Sequence, residues 1–481
     1  YNKTNEAANI LANKLLQEGV SHGDRVVLFM ENRPDFIISI LALNKIGAIG
    51  VLINTSLTGN PLIHCINSSD SKKCIVGAEL ISSLEGVLNE ININKKPDIY
   101  WVKDNENDLC PEWASDLETL LDKSQIDNLE ETKNVTAKDT AFYIFTSGTT
   151  GVPKAALFPN TKIVAASANI TKAGYRMTDK DCLYNCLPLY HSTGLMLGLC
   201  ACIHVGASTF IRRKFSASAF WKEANKYNTT AFVYVGELCR YLSFQDPCEE
   251  EKNNPISKMV GNGLRPDLWD CFRNRFNVDR ICEIYGASEG NGMFMNLLNK
   301  DETIGMTNID LALLEYDVAE DKLKKDENGN YIEVEEHQPG LALVKIGPNA
   351  VYNGYTDKKA SEEKVIKNVF EEGDRWFNTG DLIKTMDVGF AIGRKHYQFV
   401  DRVGDTFRWK SENVSTNEVA EILNTFDQVN MANVFGVKVP KSEGRAGMVA
   451  FNCNLAKFKW DNFAKFVSEK LPSYAQPVFI R

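Results

Sequence analysis

The sequence predicts an α/β fold: a large N-terminal body of parallel-sheet α/β subdomains plus a β-rich subdomain, followed by a small α+β domain. Three observations predict it. Between residues 25 and 285, short apolar or β-branched runs alternate with helical stretches, the pattern of strands joined by helical crossovers. From about residue 310 the strands shorten and polar turns appear, as in "KKDENGNYIEV" and "NGYTDKK". The stretch "KHYQFVDRVGDTFRWK" (395–410) is polar and contains glycine, and a helix, a strand and a second helix follow it. The expected division is a body over 1–402, with the β-rich part at about 310–400, and a small domain over 403–481 that is cut short at Arg481.

The elements follow in order. The first helix places Ala7, Ala8, Leu11 and Leu15 on one face, with Thr4 as its expected cap and Gly19 at its end. "RVVLFM" reads as a buried strand, "PDFIISILALNKIG" as a helix opened by Pro34, and "AIGVLIN" as the next strand. "KCIV", "DIYWV", "AFYIF", "CLYNCL", "STFI", "AFVYV" and "ICEIY" continue the series. The longest uncharged run, 192–209, is rich in glycine and small polar residues, so it reads as a buried helix running into a strand rather than a membrane span. Beyond the boundary, "TNEVAEILNTF" and "NFAKFVSEKL" are helices and "ANVFGVKV" is a strand.

Composition narrows the function classes. At 481 residues and 44% apolar content the chain fills large cores, and a net charge of −9 excludes a general nucleic-acid footprint. Arg212, Arg213 and Lys214 form one short basic cluster, read as a solvated strand end. Twelve cysteines without a pair-of-pairs spacing fit a reducing compartment, and Cys182, Cys186 and His191 lack a fourth partner for zinc. Residue 1 is Tyr, so the chain is expected to start within a longer protein.

The stretch "TSGTTGVPKAAL" (146–157) points to phosphate. Gly148 and Gly151 free backbone amides to curl around an anion, Thr146, Ser147, Thr149 and Thr150 add hydroxyls, and Lys154 adds a mobile cation. The spacing is not that of a Walker loop, because Pro153 precedes the lysine and Ala155 follows it. A polar hairpin between two strands is the alternative that the composition leaves open.

Together with "YGASE" (285–289), "NTGD" (378–381) and "LPSYAQP" (471–477) in that order, this loop resembles the adenylate-forming enzymes. "CLPLYHSTG", "RRKFSASAFW", "YVGELCRYL", "GNGLR" and "GDTFRWKSENVSTNEV" are similar to the fatty-acid transport protein, or very-long-chain acyl-CoA synthetase, branch of that family. The resemblance implies ATP-dependent conversion of a long- or very-long-chain fatty acid to acyl-CoA through an acyl-adenylate. ATP, Mg²⁺ and coenzyme A are then the small-molecule requirements. Carboxylate and ATP are both anionic and pyrophosphate is a charged leaving group, so fixed cations and dipoles must carry the catalysis.

The resemblance assigns roles residue by residue. The loop around Lys154 cradles phosphates, Glu289 holds Mg²⁺, and Tyr285 stacks on adenine beside Gly286 and Ser288. Asp381 accepts the ribose hydroxyls, Arg402 contacts the ribose, and Gly261, Asn262 and Gly263 form a turn close to adenine and the acyl chain. Tyr190 and His191 stand at the acyl pocket, where a His suits a carboxylate with an apolar tail, and Gly194 leaves room for that tail. Gly404 is the implied hinge of a swinging small domain, and Lys410, Ser411, Glu412 and Asn413 guide the CoA arm. Ser411 replaces a usual glycine, and where that glycine needs φ > 0 or makes room for pantetheine the serine weakens the second half-reaction. The family's adenylation lysine falls beyond Arg481, so the residues present are expected to bind nucleotide and support thioester formation with adenylation impaired.

Other readings stay open at this stage. They are the same chemistry on a bile acid, a carnitine-like acid or a shorter acyl group, and a fatty-acid transport or binding module with weak ligase activity. The resemblance also implies membrane association through a segment outside residues 1–481, with the catalytic body facing the cytosol.

Overall fold

A computed structural model describes residues 1–146, 153–287, 290–318, 320, 322–409, 412–439 and 445–481. Two compact units divide the chain. The first comprises 1–234, 253–260 and 353–361, and the second comprises 235–252, 261–352 and 362–481.

The first unit holds a seven-stranded sheet in the order Ser115–Asp116, Ile99–Val102, Lys73–Gly77, Arg25–Phe29, Ile49–Leu52, Thr140–Thr146 and Lys154–Pro159. All its pairings are parallel except the last. Both faces are covered, which is why Lys73–Gly77 and Ile49–Leu52 are buried at every position and, apart from Lys73 with its Asp98 partner at 3.0 Å, read as apolar runs. A second parallel set runs Ser208–Ile211, Cys182–Asn185 and Ala231–Val235. The predicted strands therefore form, and the alternation with helices gives parallel pairing because a parallel neighbour needs a crossover. Residues 353–361 also belong to this unit: Leu157 N donates to Gly354 O at 3.3 Å and Ala156 bridges Tyr355.

The first helix spans Asn2–Gln17, so Thr4 sits inside its first turn and Tyr1 occupies the cap position without a side-chain capping bond, its hydroxyl donating instead to Ala207 O at 2.6 Å. Pro34 opens Pro34–Lys45 as predicted. The uncharged run becomes a π-helix, Thr193–Cys200, then an α-turn, Ala201–Val205, then the strand at Ser208. Its Leu195, Met196 and Leu199 pack into the core with Phe36, Ile40 and Leu43. The basic cluster is ion-paired rather than merely solvated: Arg212 meets Glu223 at 2.7 Å, Arg213 meets Asp104 at 2.6 Å and Lys214 meets Glu31 at 2.9 Å.

In the second unit an antiparallel sheet joins Leu311–Leu314, Gly340–Lys345, Arg375–Met386 and Val365–Lys367, with His396–Arg402 also paired to Arg375–Met386. After it come a hairpin (Phe407–Trp409 with Glu412–Val414), the helices Thr416–Asn424 and Trp460–Lys470, and a small sheet of Met431–Val437, Ala446–Asn452 and Phe479–Ile480. They share one apolar core that includes Val419, Leu423, Phe426, Val449 and Phe463.

All twelve cysteines carry free thiols. Burial pushes the thiols of Cys65, Cys186, Cys200 and Cys282 up to about 12. Among the described residues no helix is long and apolar enough to cross a membrane.

Candidate active site

The phosphate-loop residues Ser147, Gly148, Thr149, Thr150 and Gly151 lie outside the described residues, as do Ser288, Glu289, Lys410 and Ser411. What surrounds them is defined. Thr146 ends one strand and Lys154 begins the next, and the two are directly paired, so these two strands form an antiparallel hairpin pair. Lys154 Nζ stands 6.0 Å from the Tyr355 ring, where the aromatic face attracts its charge. His64 Nε2 lies 3.0 Å from the Pro153 carbonyl oxygen, which ties the end of this hairpin to the helix Gly59–Ser68.

Tyr190 and His191 are also in the first unit, their rings 4.5 Å apart. The buried Asn32 fixes the segment before them: its Oδ1 accepts from Leu189 N at 2.8 Å and its Nδ2 donates to Leu187 O at 2.7 Å. Gly194 follows because only glycine fits there: a Cβ would lie 2.5 Å from the Pro188 carbonyl oxygen. Close backbone packing therefore fixes glycine at this position. Water reaches the His191 ring, yet protein crowds it, and that desolvation lowers its pKa below 6.5. The imidazole is therefore neutral at pH 7.

In the second unit Gly261 and Asn262 end the strand Lys258–Asn262, and Gly263 makes the turn with φ at +79°. Gly236 packs against that turn so closely that a Cβ on it would sit 1.6 Å from the Gly263 carbonyl oxygen. Glu283, 3% exposed, holds the turn from inside: its Oε1 accepts from Gly263 N and, at 3.1 Å, from Leu264 N. A buried carboxylate accepting two amides is a strong, directional tie.

Tyr285 lies near the end of the strand Arg280–Gly286, paired with Phe294 and with Gly286 opposite Met293. Its hydroxyl donates to Asp381 Oδ2 at 2.5 Å. Burial first, and then the neighbouring carboxylate, raise the Tyr285 pKa well above 10, so the phenol keeps its proton and acts as donor. Asp381 is paired across the sheet with Arg402, whose Nε stands 3.8 Å from Asp381 Oδ1 while the side chain is mostly exposed. Tyr285, Asp381 and Arg402, far apart in sequence, thus form one constellation. A Cβ on Gly404 would meet nothing within 4 Å. Glu412 and Asn413 lie on the hairpin strand opposite Trp409 and Arg408.

Sequence reading did not find Glu283, Asn32 or His64. Glu283 sat unremarked inside "ICEIY", and the other two are ordinary polar residues whose partners lie 155 and 89 positions away.

The model of the AMP-binding enzyme family matches residues 1–356. The chain is 38% identical to the medium/long-chain-fatty-acid–CoA ligase FadD6 of Mycobacterium tuberculosis over all of its own length and 78% of that protein's. To long-chain fatty acid transport protein 6 of Homo sapiens it is 36% identical, covering all of this chain and 76% of that one. Among solved structures, the anthranilate CoA ligase AuaEII with anthranoyl-AMP superposes with a TM-score of 0.81 at 18% identity, covering 99% of this chain and 87% of the other. ATP-bound MatB of Rhodopseudomonas palustris gives 0.79 at 19% identity, covering 99% and 88%. These structural likenesses show a shared fold.

Proposed function

The chain belongs to the AMP-binding enzyme family, and on that premise we propose that it is an AMP-forming acyl-CoA synthetase for long- or very-long-chain fatty acids. In the first half-reaction the fatty carboxylate attacks the α-phosphorus of ATP, forming acyl-adenylate and releasing pyrophosphate. In the second, the thiol of CoA attacks the acyl carbonyl, and AMP leaves with the bonding electrons.

Each residue has a task in this reading. The amides and hydroxyls of 146–151 and the Lys154 ammonium hold the phosphates. Tyr285 offers its ring to adenine beside Gly286 and Ser288, and the turn of Gly261, Asn262 and Gly263 lets backbone approach the adenine and the acyl chain. Asp381 accepts the ribose hydroxyls, an acceptor-only task suited to a carboxylate, and Arg402 supports it. The Tyr285 hydroxyl keeps Asp381 oriented before nucleotide arrives. Glu289 is a hard oxygen donor of the kind Mg²⁺ prefers, and that ion would neutralise phosphate charge. Gly404 serves as hinge, and Lys410, Ser411, Glu412 and Asn413 serve the CoA arm. Membrane association through a segment beyond these residues, with the catalytic body facing the cytosol, belongs to the same reading.

The observation that carries the fatty-acyl assignment is the 38% identity, over the whole of this chain, to a medium/long-chain-fatty-acid–CoA ligase, and the apolar helix of Leu195, Met196 and Leu199 that follows His191 supports it. A neutral ring beside apolar packing favours an alkyl tail over an ammonium-bearing substrate. Titration with acyl-sulfamoyl adenosines carrying acetyl, lauroyl, palmitoyl, a very long acyl and an aminoacyl group tests it. Affinity should rise with length by up to ~0.8 kcal/mol per buried methylene. A flat series removes the fatty-acyl assignment, and preference for the aminoacyl compound overturns the role of His191.

A further inference from the structure

Asp401 is 1% exposed and sits at the end of the antiparallel sheet, opposite Leu382. Its Oδ1 accepts from Arg402 N at 2.8 Å and from Asn417 Nδ2 at 2.9 Å. Its Oδ2 accepts from Ser415 Oγ at 3.0 Å, Thr416 N at 2.8 Å, Thr416 Oγ1 at 3.0 Å and Asn417 N at 3.4 Å. Five of these six donors belong to residues 415–417, at the start of the helix Thr416–Asn424.

That helix is part of the small core, to which it contributes Val419 and Leu423. Ser415 already caps its own helix by accepting from Glu418 N at 3.2 Å, so local capping does not explain why a distant carboxylate is buried there. The acceptor is on the sheet and the donors are on the small core. Between them runs 402–414, which contains Gly404 and a turn in which Asp405 N and Thr406 N both point to the Arg402 carbonyl.

We propose that Asp401 is a latch across the hinge, a positioning residue that holds the small domain in the observed orientation and so sets the balance between the two half-reactions. The proposal rests on the acyl-CoA synthetase reading for its consequence and on geometry for its mechanism. Rotation about Gly404 carries residues 415–417 away from a sheet-bound carboxylate, stripping it of five donors and opening it to water. Releasing the latch therefore frees the domain to leave this orientation.

Asp401→Asn removes the charge at constant size, and Thr416→Val removes one donor while leaving the Ser415 cap intact. Two measurements on the full chain decide the matter. Hydrogen exchange should quicken at least tenfold over 403–419 in Asp401→Asn, while peptides covering Leu423, Val449 and Phe463 keep their protection. Pyrophosphate exchange and thioester formation from supplied acyl-adenylate, assayed separately, should change their ratio by at least fivefold, with Thr416→Val following in the same direction. Unchanged exchange over 403–419, quickened exchange throughout the small core, or an unaltered ratio in both variants overturns the latch. A wild-type chain without either half-reaction defeats the acyl-CoA synthetase reading, and the exchange pattern then still accepts or rejects the latch.

Discussion

Glu283 shows how a single buried carboxyl group holds the turn proposed to face adenine. Its carboxylate satisfies Gly263 N and Leu264 N, the amides of the turn assigned to adenine. Removing it leaves the buried Leu264 amide unpaired at a cost of about 1–3 kcal/mol, whereas Gly263 is exposed and water takes over the lost acceptor there. Glu283→Ala should therefore lower unfolding free energy by about 1–3 kcal/mol in a denaturant titration. It should also weaken binding of a palmitoyl-sulfamoyl adenosine about tenfold, roughly 1.4 kcal/mol. Glu283→Gln, which keeps an acceptor oxygen, should recover most of both. An alanine variant with unchanged nucleotide affinity would separate Glu283 from the site. Its importance was hidden in the sequence because a glutamate within a strand is normally solvent-facing, and only the close packing of Gly236 on Gly263 reveals a turn in need of an internal acceptor.

At the scale of elements, the helix Thr416–Asn424 carries a second anomaly. Burial pushes the Glu421 carboxyl up from 4.5 to about 7, with Arg265 and Lys384 opposing the rise and Asp267 and Glu418 adding to it. Between those two values the folded protein holds a proton that the unfolded chain has released. Stability from this group is thus complete below pH 4.5 and is lost as pH rises towards 7. The loss is on the order of 3 kcal/mol at most, from about 1.4 kcal/mol per pK unit. Melting followed from pH 5 to 8 should show wild type declining and Glu421→Gln nearly level. Parallel curves for the two proteins would rule this out.

The same scale shows what the sequence made legible. Apolar runs bounded by turns marked the strands because parallel strands are buried on both faces, and Pro34 marked its helix because proline suits a first turn. Thr4 was misplaced as a cap because Tyr1 already occupies that position. The strand Ala446–Asn452 and the return of 353–361 to the first unit carry no local signal, since both are set by long-range pairing. The family's wording singled out Lys154, Tyr285, Asp381 and Arg402, and the last three lie together in the structure. The supports behind them were not, because any acceptor of suitable length serves.

For the whole molecule, the state of its thiols has a chemical consequence. Acyl-adenylate is a mixed anhydride, and any thiolate within reach would take the acyl group from it. With pKa values of about 12, Cys65, Cys186, Cys200 and Cys282 are ionised to only about one part in 10⁵ at pH 7, against a few per cent for an ordinary thiol. The protein is thereby spared from acylating itself at these positions, and the incoming pantetheine sulfur meets no internal competitor there. Peptide mass spectrometry after exposure to palmitoyl-adenylate should find these four cysteines unmodified in the folded protein and acylated once urea unfolds it. An enzyme that manufactures thioesters keeps its own sulfur out of the product by burying it.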